Sequence, residues 1–253
     1  MIGRPRIADR LDALSGRPVN YDPAALDLED PPPGWNVDRR CQPLPREPPG
    51  EPIPEGSWEI ACRLIRGYEF ADPSLVRAHY DPARPLEGRE MLLELIALGL
   101  VRVHVGVRVV RVYDEQRDLA GRTARVFGWA YRTLEGHVEE GQMDWQVWKW
   151  LDSGEVQFRV HAVSRTAPIS NPIVRVGFWA LRSHERGLFL ASTGRRMQTL
   201  TELALRSEHR GEDVRDASAD LTARRGDGSG AAHERLGRDV ERAQPPAGKQ
   251  SRG

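Results

Sequence analysis

A short segment bounded by glycines, residues 136–141, carries the residue pair best suited to proton transfer in this sequence. His137 and Glu139 lie two positions apart in it, and Tyr131 ends the apolar segment before it. A carboxylate can orient an imidazole and raise its pKa, so the pair could act as a general acid and base. The same side chains could instead satisfy the amides of a tight turn, and we favour that interpretation. His137 and Glu139 are the candidate catalytic residues.

A second group of side chains has the chemistry of ligand contacts. Arg165, at the end of a predicted strand, could bind a carboxylate or phosphate in the concavity of a sheet. It could instead form a buried ion pair with Glu139 or Asp144, and we favour that interpretation. Trp145 and Trp148 could form an aromatic wall for a ligand, although core packing explains them equally well. The predicted ligand-binding residues are Tyr131, Arg165, Trp145 and Trp148.

Sequence motifs for other chemistries are absent. The two cysteines, Cys41 and Cys62, exclude a disulfide-dense scaffold and a zinc site built on paired cysteines. His104 and His161 lie in predicted strands without a second histidine at ligand spacing, so we expect no bound metal. The chain contains neither a GxSxG nucleophile motif nor a GxxxxGK[ST] phosphate loop, and we expect no cofactor.

Charge and hydropathy argue against two classes of partner. The 37 lysines and arginines are balanced by 37 aspartates and glutamates, which gives no case for a nucleic acid or an anionic membrane. The apolar stretches are far shorter than the roughly 20 residues that span a bilayer. The N-terminus lacks the unbroken apolar run of a secretory signal. We therefore expect a soluble, cytoplasmic protein without a membrane span.

Proline and aromatic residues divide the chain into three parts. Twelve of the 19 prolines fall in residues 1–56, which we predict to be an extended arm that begins with a short amphipathic helix. Residues 57–206 hold six of the seven tryptophans and all five phenylalanines, enough for one core. Residues 207–253 contain no Phe, Trp, Tyr, Ile or Met, so we predict a disordered charged tail.

Hydrophobic periodicity suggests the elements at the start of the middle part. Residues 57–70 alternate with period two and are predicted to be the first strand, followed by a short helix over residues 74–80. Residues 91–98 fit either a helix or a strand. Residues 101–113 are the clearest strand, and the Val109–Val110 doublet, which interrupts the alternation, predicts a bulge.

The second half of the middle part predicts hairpins and then a helix. Residues 122–133, 142–151 and 155–165 alternate between turn signals, as in antiparallel strands. Asn171 and Pro172 form a helix-start signal before residues 173–205, which predict one kinked helix or two consecutive helices. The predicted fold class is therefore α+β: a curved antiparallel sheet wrapped around a long C-terminal helix, with a Pro-rich N-terminal arm. This architecture is similar to the helix-grip fold of the START and Bet v 1-like superfamily.

One segment, residues 126–167, goes beyond architecture. It resembles uncharacterised protein family 0548, a domain-of-unknown-function family with a Tyr–x–Thr–Leu–x–Gly–His–x–Glu–x–Gly turn and a later Ser-Arg pair. We expect the resemblance to extend over residues 57–205, without the Pro-rich arm or the tail. It implies a domain identity and no established reaction. The matching residues are Tyr131, Thr133, Leu134, Gly136, His137, Glu139, Gly141, Ser164, Arg165 and Pro168.

Three functions are compatible with these patterns. The first is a binding module for a small hydrophobic or amphipathic ligand, held in a pocket between the sheet and the C-terminal helix with Tyr131 and Arg165 as polar anchors. The second is an enzyme on the same scaffold that uses His137 and Glu139 as an acid–base pair. The third is a non-catalytic interaction domain whose Pro-rich arm contacts a partner or a second copy of the chain.

Overall fold

A computed structural model describes residues 6–97, 101–168 and 172–209 of the chain. Seven of its strands form one antiparallel sheet in the order β1-β7-β6-β5-β4-β3-β2. The elements are α1 (Ile7–Asp12), a 3-10 turn (Pro23–Ala25), β1 (Asn36–Leu44), α2 (Ser57–Arg66), β2 (Val76–His79), β3 (Glu90–Ala97), β4 (Val101–Leu119), β5 (Arg122–Thr133), β6 (Glu139–Trp150), β7 (Val156–Thr166) and α3 (Pro172–His209).

The predicted fold class is confirmed. Strands β2 to β7 follow one another as antiparallel neighbours, and α3 is one helix of 38 residues after the last strand. The predicted bulge is also present, because the β4–β5 register shifts between Val109 and Arg111. The predicted disordered tail, residues 207–253, is wrong in its first three residues, because residues 207–209 form the end of α3. The rest of that tail, from residue 210 onward, and the predicted cap Asn171 lie outside the described residues.

The two faces of the sheet are covered differently. We call the face that packs against α2 and α3 the inner face, and the opposite one the outer face. Successive side chains of a strand alternate between faces, so Trp129, Trp145 and Phe158 point inward and are fully buried. Trp148 and Trp150 point outward and form a separate cluster.

Residues 57–66 form helix α2, so the predicted strand is wrong. The apolar residues fall on even positions by coincidence. The helix is buried over most of its circumference, so apolar residues occur on most of its sides. The helical signal lies in the charged residues Glu59, Arg63 and Arg66, which recur after four and three positions and mark one narrow exposed stripe. The carboxylate of Glu47 accepts the backbone N–H of Trp58 at 2.7 Å, which satisfies a donor of the first turn from a distant part of the chain.

The next prediction, a helix over residues 74–80, is also wrong. Asp72 makes the contacts expected of a helix cap, since its side chain accepts both the backbone N–H and the hydroxyl of Ser74. The chain completes only this turn, and Val76–His79 then pairs with β3 as the edge strand β2. The ambiguous residues 91–98 fall mostly in β3, where they pair with both β2 and β4.

The Pro-rich arm is largely part of the fold. Residues 36–42 contain no proline, and they lie in β1, which pairs along its whole length with β7. The predicted boundary at residue 57 therefore does not separate an arm from the domain. The predicted N-terminal helix is confirmed as α1, and Leu14 just after it is buried against Leu92 and Leu134 on the outer face.

Candidate functional site

Arg186 of α3 connects the helix to three strands on the inner face. Its Nε donates to Asp38 of β1 at 2.6 Å, and its Nη1 donates to Glu139 of β6 at 3.1 Å and to the Ser164 hydroxyl of β7 at 2.8 Å. The side chains of Arg186, Asp38 and Glu139 are only 15%, 20% and 18% exposed. One guanidinium is therefore held between two carboxylates at the junction of the sheet and α3.

The local backbone brings these side chains together. Gly141 lies opposite Ser164 in the β6–β7 ladder, with a φ of 155° and no room for a Cβ beside the carbonyl of Val163. The Thr133 hydroxyl accepts the N–H of Gly141 at 2.9 Å and donates its one proton to Oδ1 of Asn20 at 2.6 Å. This close approach sets the start of β6, and so the position of Glu139, against β7.

Aromatic rings fill much of the interior between the sheet and the helices. The ring of Trp145 lies 4.4 Å from that of Phe70 and is stacked at 6.0 Å on that of Phe158, measured between centroids. Tyr68 lies edge-on to Trp145 at 6.1 Å. Tyr68 and Phe70 follow α2, and their rings contact those of Trp145 and Phe158, so this part of the interior is filled by aromatic side chains.

Three buried donors in this interior make no hydrogen bond within the described part of the chain. They are the Tyr68 hydroxyl, Nε1 of Trp145 and Nη2 of Arg186. The neighbouring Tyr131 donates only to Sδ of Met143, at 3.3 Å, and a thioether is a weak acceptor. Burial raises the pKa of both phenols, so Tyr68 and Tyr131 keep their protons at neutral pH and act as donors.

Apolar side chains lie beside these donors. Val138, Met143 and Phe189 are half-buried and pack against the edge of the core. Phe189 lies three residues after Arg186 on α3, so both side chains project from the same side of the helix, and its ring is 6.2 Å from that of Trp145. We call the combination of Tyr68, Tyr131, Trp145 and Arg186 with Val138, Met143 and Phe189 the inner site.

The side chains of the predicted acid–base pair have structural partners. Nδ1 of His137 accepts the backbone N–H of Glu139 at 2.9 Å, and the Glu139 carboxylate binds Arg186. Burial lowers the pKa of His137 to about 4, an effect that the charge of Glu139 only partly offsets. The imidazole is therefore neutral at physiological pH and closes the turn.

Two predicted ligand contacts lie on the wrong face for the inner site. Arg165 points outward, pairs with Glu140 at 2.6 Å and lies over the ring of Trp35 at 4.6 Å. The predicted ion pair thus forms, but with Glu140 instead of Glu139 or Asp144. Trp148 also points outward, where the guanidinium of Arg159 lies 4.2 Å from its ring. Only Tyr131 and Trp145 of the four predicted residues contribute to the inner site.

The sequence interpretation missed Arg186, although the sequence contains a signal for it. Buried residues of α3 recur as Leu190, Thr193, Met197 and Thr201, at spacings of three and four. Arg186 lies four positions before Leu190 and so continues the same buried stripe. An arginine on the buried stripe of a helix needs a polar partner, which makes it a better candidate than Arg165 on a strand.

The fold and the inner site define an α+β domain in which a long C-terminal helix packs on an antiparallel sheet around a buried arginine. The family model described as a domain of unknown function, DUF1990, matches residues 20–192, and the chain belongs to this family. The match confirms the predicted membership of a family of unknown function. It also corrects the predicted extent, because it includes much of the Pro-rich segment and stops within α3.

Comparison with solved structures finds helix-grip proteins at low identity. A START superfamily protein from Mycobacterium smegmatis is 12% identical, covers 66% of this chain and 97% of its own, and has a TM-score of 0.34. Human STARD10 is 8% identical, with coverages of 88% and 91% and a TM-score of 0.33. Ara h 8.0201 is 12% identical, with coverages of 65% and 99% and a TM-score of 0.34. No curated protein matches the sequence.

Two kinds of feature are absent from the described residues. Within residues 6–97, 101–168 and 172–209, no three His, Cys, Asp or Glu side chains are grouped so that they could hold a metal ion. No helix in the same ranges is long and apolar enough to cross a membrane.

Proposed function

We propose that the domain binds a small hydrophobic or amphipathic ligand between the inner face of the sheet and α3. The apolar part of the ligand contacts Val138, Met143 and Phe189. Its polar end accepts hydrogen bonds from Arg186 and from the tyrosine hydroxyls at the base of the site. The apolar wall with a few convergent polar groups is the usual composition of a small-molecule site.

The three unpaired donors carry this proposal. Buried polar groups in folded proteins almost always have a hydrogen-bond partner, and an unsatisfied one costs about 1–3 kcal/mol. Here Tyr68, Trp145 and Arg186 each have a buried donor that finds no acceptor among the described residues. A ligand oxygen that accepts from one of them recovers part of that cost, while the ligand's apolar part gains about 25 cal/mol per Å² of buried surface.

Titration of the full chain with Nile red, an uncharged dye whose emission rises in apolar surroundings, tests the proposal. We expect saturable binding to the unchanged protein. Val138→Trp places a larger ring in the inner site and should abolish the binding. Val37→Trp introduces the same ring on the outer face of β1, at a position that is 37% exposed, and should leave it unchanged.

Circular dichroism establishes that both variants keep the fold. Absence of saturable Nile red binding to the unchanged protein would contradict the proposal. Equal binding by folded Val138→Trp and Val37→Trp would also contradict it, because the dye would then occupy another surface.

A further inference from the structure

The outer face of the sheet carries a group of polar side chains beside two small residues. Gly128 and Ala130 of β5 face outward, where Ala130 pairs with Asp144 of β6 and Asp144 pairs with His161 of β7. Tyr113 of β4 lies beside Gly128, and a Cβ on this glycine would come within 2.6 Å of the tyrosine hydroxyl. Neighbouring strands therefore bring a phenol, a carboxyl and an imidazole to one part of the outer face.

The segment before β1 adds a second phenol to this group. Asn20 fixes the segment to the sheet, because it accepts from the Thr133 hydroxyl at 2.6 Å and donates to the backbone carbonyl of Glu139 at 2.9 Å. The next residue, Tyr21, holds its ring edge-on against that of Trp35, with 5.6 Å between centroids. The hydroxyl of Tyr21 is thereby placed over the outer face by a docked part of the chain.

Three buried polar atoms of this group make no hydrogen bond to any residue that the structure describes. They are the hydroxyls of Tyr21 and Tyr113 and Nε2 of His161. Tyr113 is only 7% exposed, so its hydroxyl is also shielded from bulk solvent. Asp144 lies close enough to both phenols to affect their pKa values, and its Oδ2 accepts from Nε2 of Gln142 at 3.1 Å. Since buried polar atoms normally have partners, three unpartnered ones around one carboxyl indicate a place for a bound molecule.

The chemistry of these side chains determines what the bound molecule must offer. Burial raises the pKa of Tyr21 to about 12 and also raises the pKa of Tyr113, so both phenols are protonated donors at neutral pH. Burial raises the pKa of Asp144 as well, against the hydrogen bond from Gln142 and the charges of neighbouring side chains. A hydroxyl group both donates and accepts, so it complements the phenols and complements the carboxyl in either protonation state.

We propose that the outer face holds a second binding site, the outer site, for a ligand with neighbouring hydroxyl groups, as in a sugar. The outer site consists of Tyr21, Tyr113, Asp144 and His161. One hydroxyl donates to Asp144 and accepts from one phenol, while the adjacent hydroxyl accepts from the other phenol. Two hydroxyls linked in one ligand fill both positions for a single loss of translational freedom. Asp144 and His161 are half-buried, so the ligand reaches them from solvent.

The methyl glycosides of glucose, galactose and mannose test the proposal. Between them they present neighbouring hydroxyls as equatorial pairs and as axial–equatorial pairs. Saturation-transfer NMR on the full chain at pH 7.5 measures their affinities. We expect saturable binding of at least one glycoside, and binding at least tenfold weaker for tetrahydropyran-2-methanol, which keeps the ring and a single hydroxyl. Absence of binding by all three glycosides overturns the proposal, and so does equally tight binding of tetrahydropyran-2-methanol.

Three substitutions of tyrosine by phenylalanine locate the binding. Tyr113→Phe and Tyr21→Phe each remove one unpartnered hydroxyl and should each weaken glycoside binding about fivefold, as expected for the loss of a neutral hydrogen bond. Tyr80→Phe is the matched control and should leave the affinity unchanged, because the Tyr80 hydroxyl donates to the carbonyl of Gly67 at the end of α2. Unchanged affinity in folded Tyr113→Phe and Tyr21→Phe overturns the proposal.

The melting temperature of the ligand-free protein separates a binding role from a structural one. Tyr113→Phe breaks no hydrogen bond among the described residues and should not lower the melting temperature. Tyr80→Phe breaks the bond to Gly67 and should lower it. An equal decrease in both variants would show that the Tyr113 hydroxyl has a structural partner, which overturns the proposal.

Val138→Trp shows whether the glycosides bind at the outer site or the inner site. This variant fills the inner site on the opposite face of the sheet, so we expect it to bind the glycosides as tightly as the unchanged protein does. Loss of glycoside binding in folded Val138→Trp would place the sugar in the inner site and overturn the proposal.

Discussion

The pairing of Lys149 with Glu47 yields the most demanding prediction about the fold. Nζ of Lys149 lies 2.5 Å from Oε2 of Glu47, and the two side chains are 0% and 2% exposed. Lys149 also donates to the carbonyl of Glu51 at 2.8 Å. The pair connects β6 to the Pro-rich segment, and Glu47 in turn accepts the backbone N–H of Trp58 at the start of α2.

Lys149→Met keeps a side chain of similar length but leaves the Glu47 carboxylate buried without its cation. Removal of one partner from a buried ion pair typically costs about 3–5 kcal/mol. Glu47 retains two backbone donors, the N–H groups of Trp58 and Ile53, so we expect a loss near the lower end, about 3 kcal/mol. Because a domain of this size is stable by about 5–15 kcal/mol, such a loss is a large part of the total.

Urea denaturation followed by tryptophan fluorescence measures this loss. With an m-value of about 2 kcal/mol/M, the midpoint should fall by about 1.5 M. Lys149→Met combined with Glu47→Gln should recover part of the stability, since a neutral amide oxygen still accepts the N–H of Trp58. A loss below about 1 kcal/mol, as for an exposed pair, would refute the conclusion that the Pro-rich segment is anchored in the core.

Three further substitutions test other parts of the structure. Leu14→Ala should cost about 2–4 kcal/mol in urea denaturation, because Leu14 is 1% exposed on the outer face; a cost near zero would mean that the N-terminal segment is not docked. Gly141→Ala should lower the melting temperature by several degrees, since a Cβ would meet the Val163 carbonyl, whereas Gly187→Ala in open space on α3 should not lower it. The pKa of His137 falls from 6.5 to about 4 on folding. As the pH is lowered, this imidazole is therefore protonated in the unfolded chain before it is protonated in the folded protein. The stability that the neutral imidazole contributes is thus present above pH 6.5 and declines towards pH 4. The stability difference between the unchanged protein and His137→Asn should therefore shrink by about 1–2 kcal/mol from pH 7 to pH 5, and a constant difference would contradict the neutral buried imidazole.

The strands of the central sheet were predictable because each alternates over a long span between clear turns. The β4 bulge was predictable for the same reason, as a single interruption at Val109 in an otherwise regular pattern. Helix α2 was not recognised, because its apolar residues at even positions also fit a strand, and the helical spacing of its charged residues was overlooked. Strand β1 was hidden by the prolines around it, and its pairing with β7 depends on a register across more than 100 residues.

The candidate site was predictable only in part, for a geometric reason. Period-two alternation gives the relative face of Trp145 and Trp148, but does not tell which face a distant helix will cover. The choice of Arg165 as anchor depended on that unknown, and the structure places its side chain on the outer face. Whether Arg186 faces the sheet depends on how α3 is rotated about its own axis. The spacing of the buried residues of α3 indicates that rotation only when the helix is considered as a whole.

A crystal structure of the full chain with Nile red bound tests the central claim most directly. We predict the aromatic ring system of the dye against Met143 and Phe189, with its carbonyl oxygen about 2.7–3.2 Å from Nη2 of Arg186. A ring bound on the outer face beside Trp148 would contradict the claim. So would an inner site in which the aromatic side chains leave no density for the ligand while Nη2 of Arg186 stays unpaired.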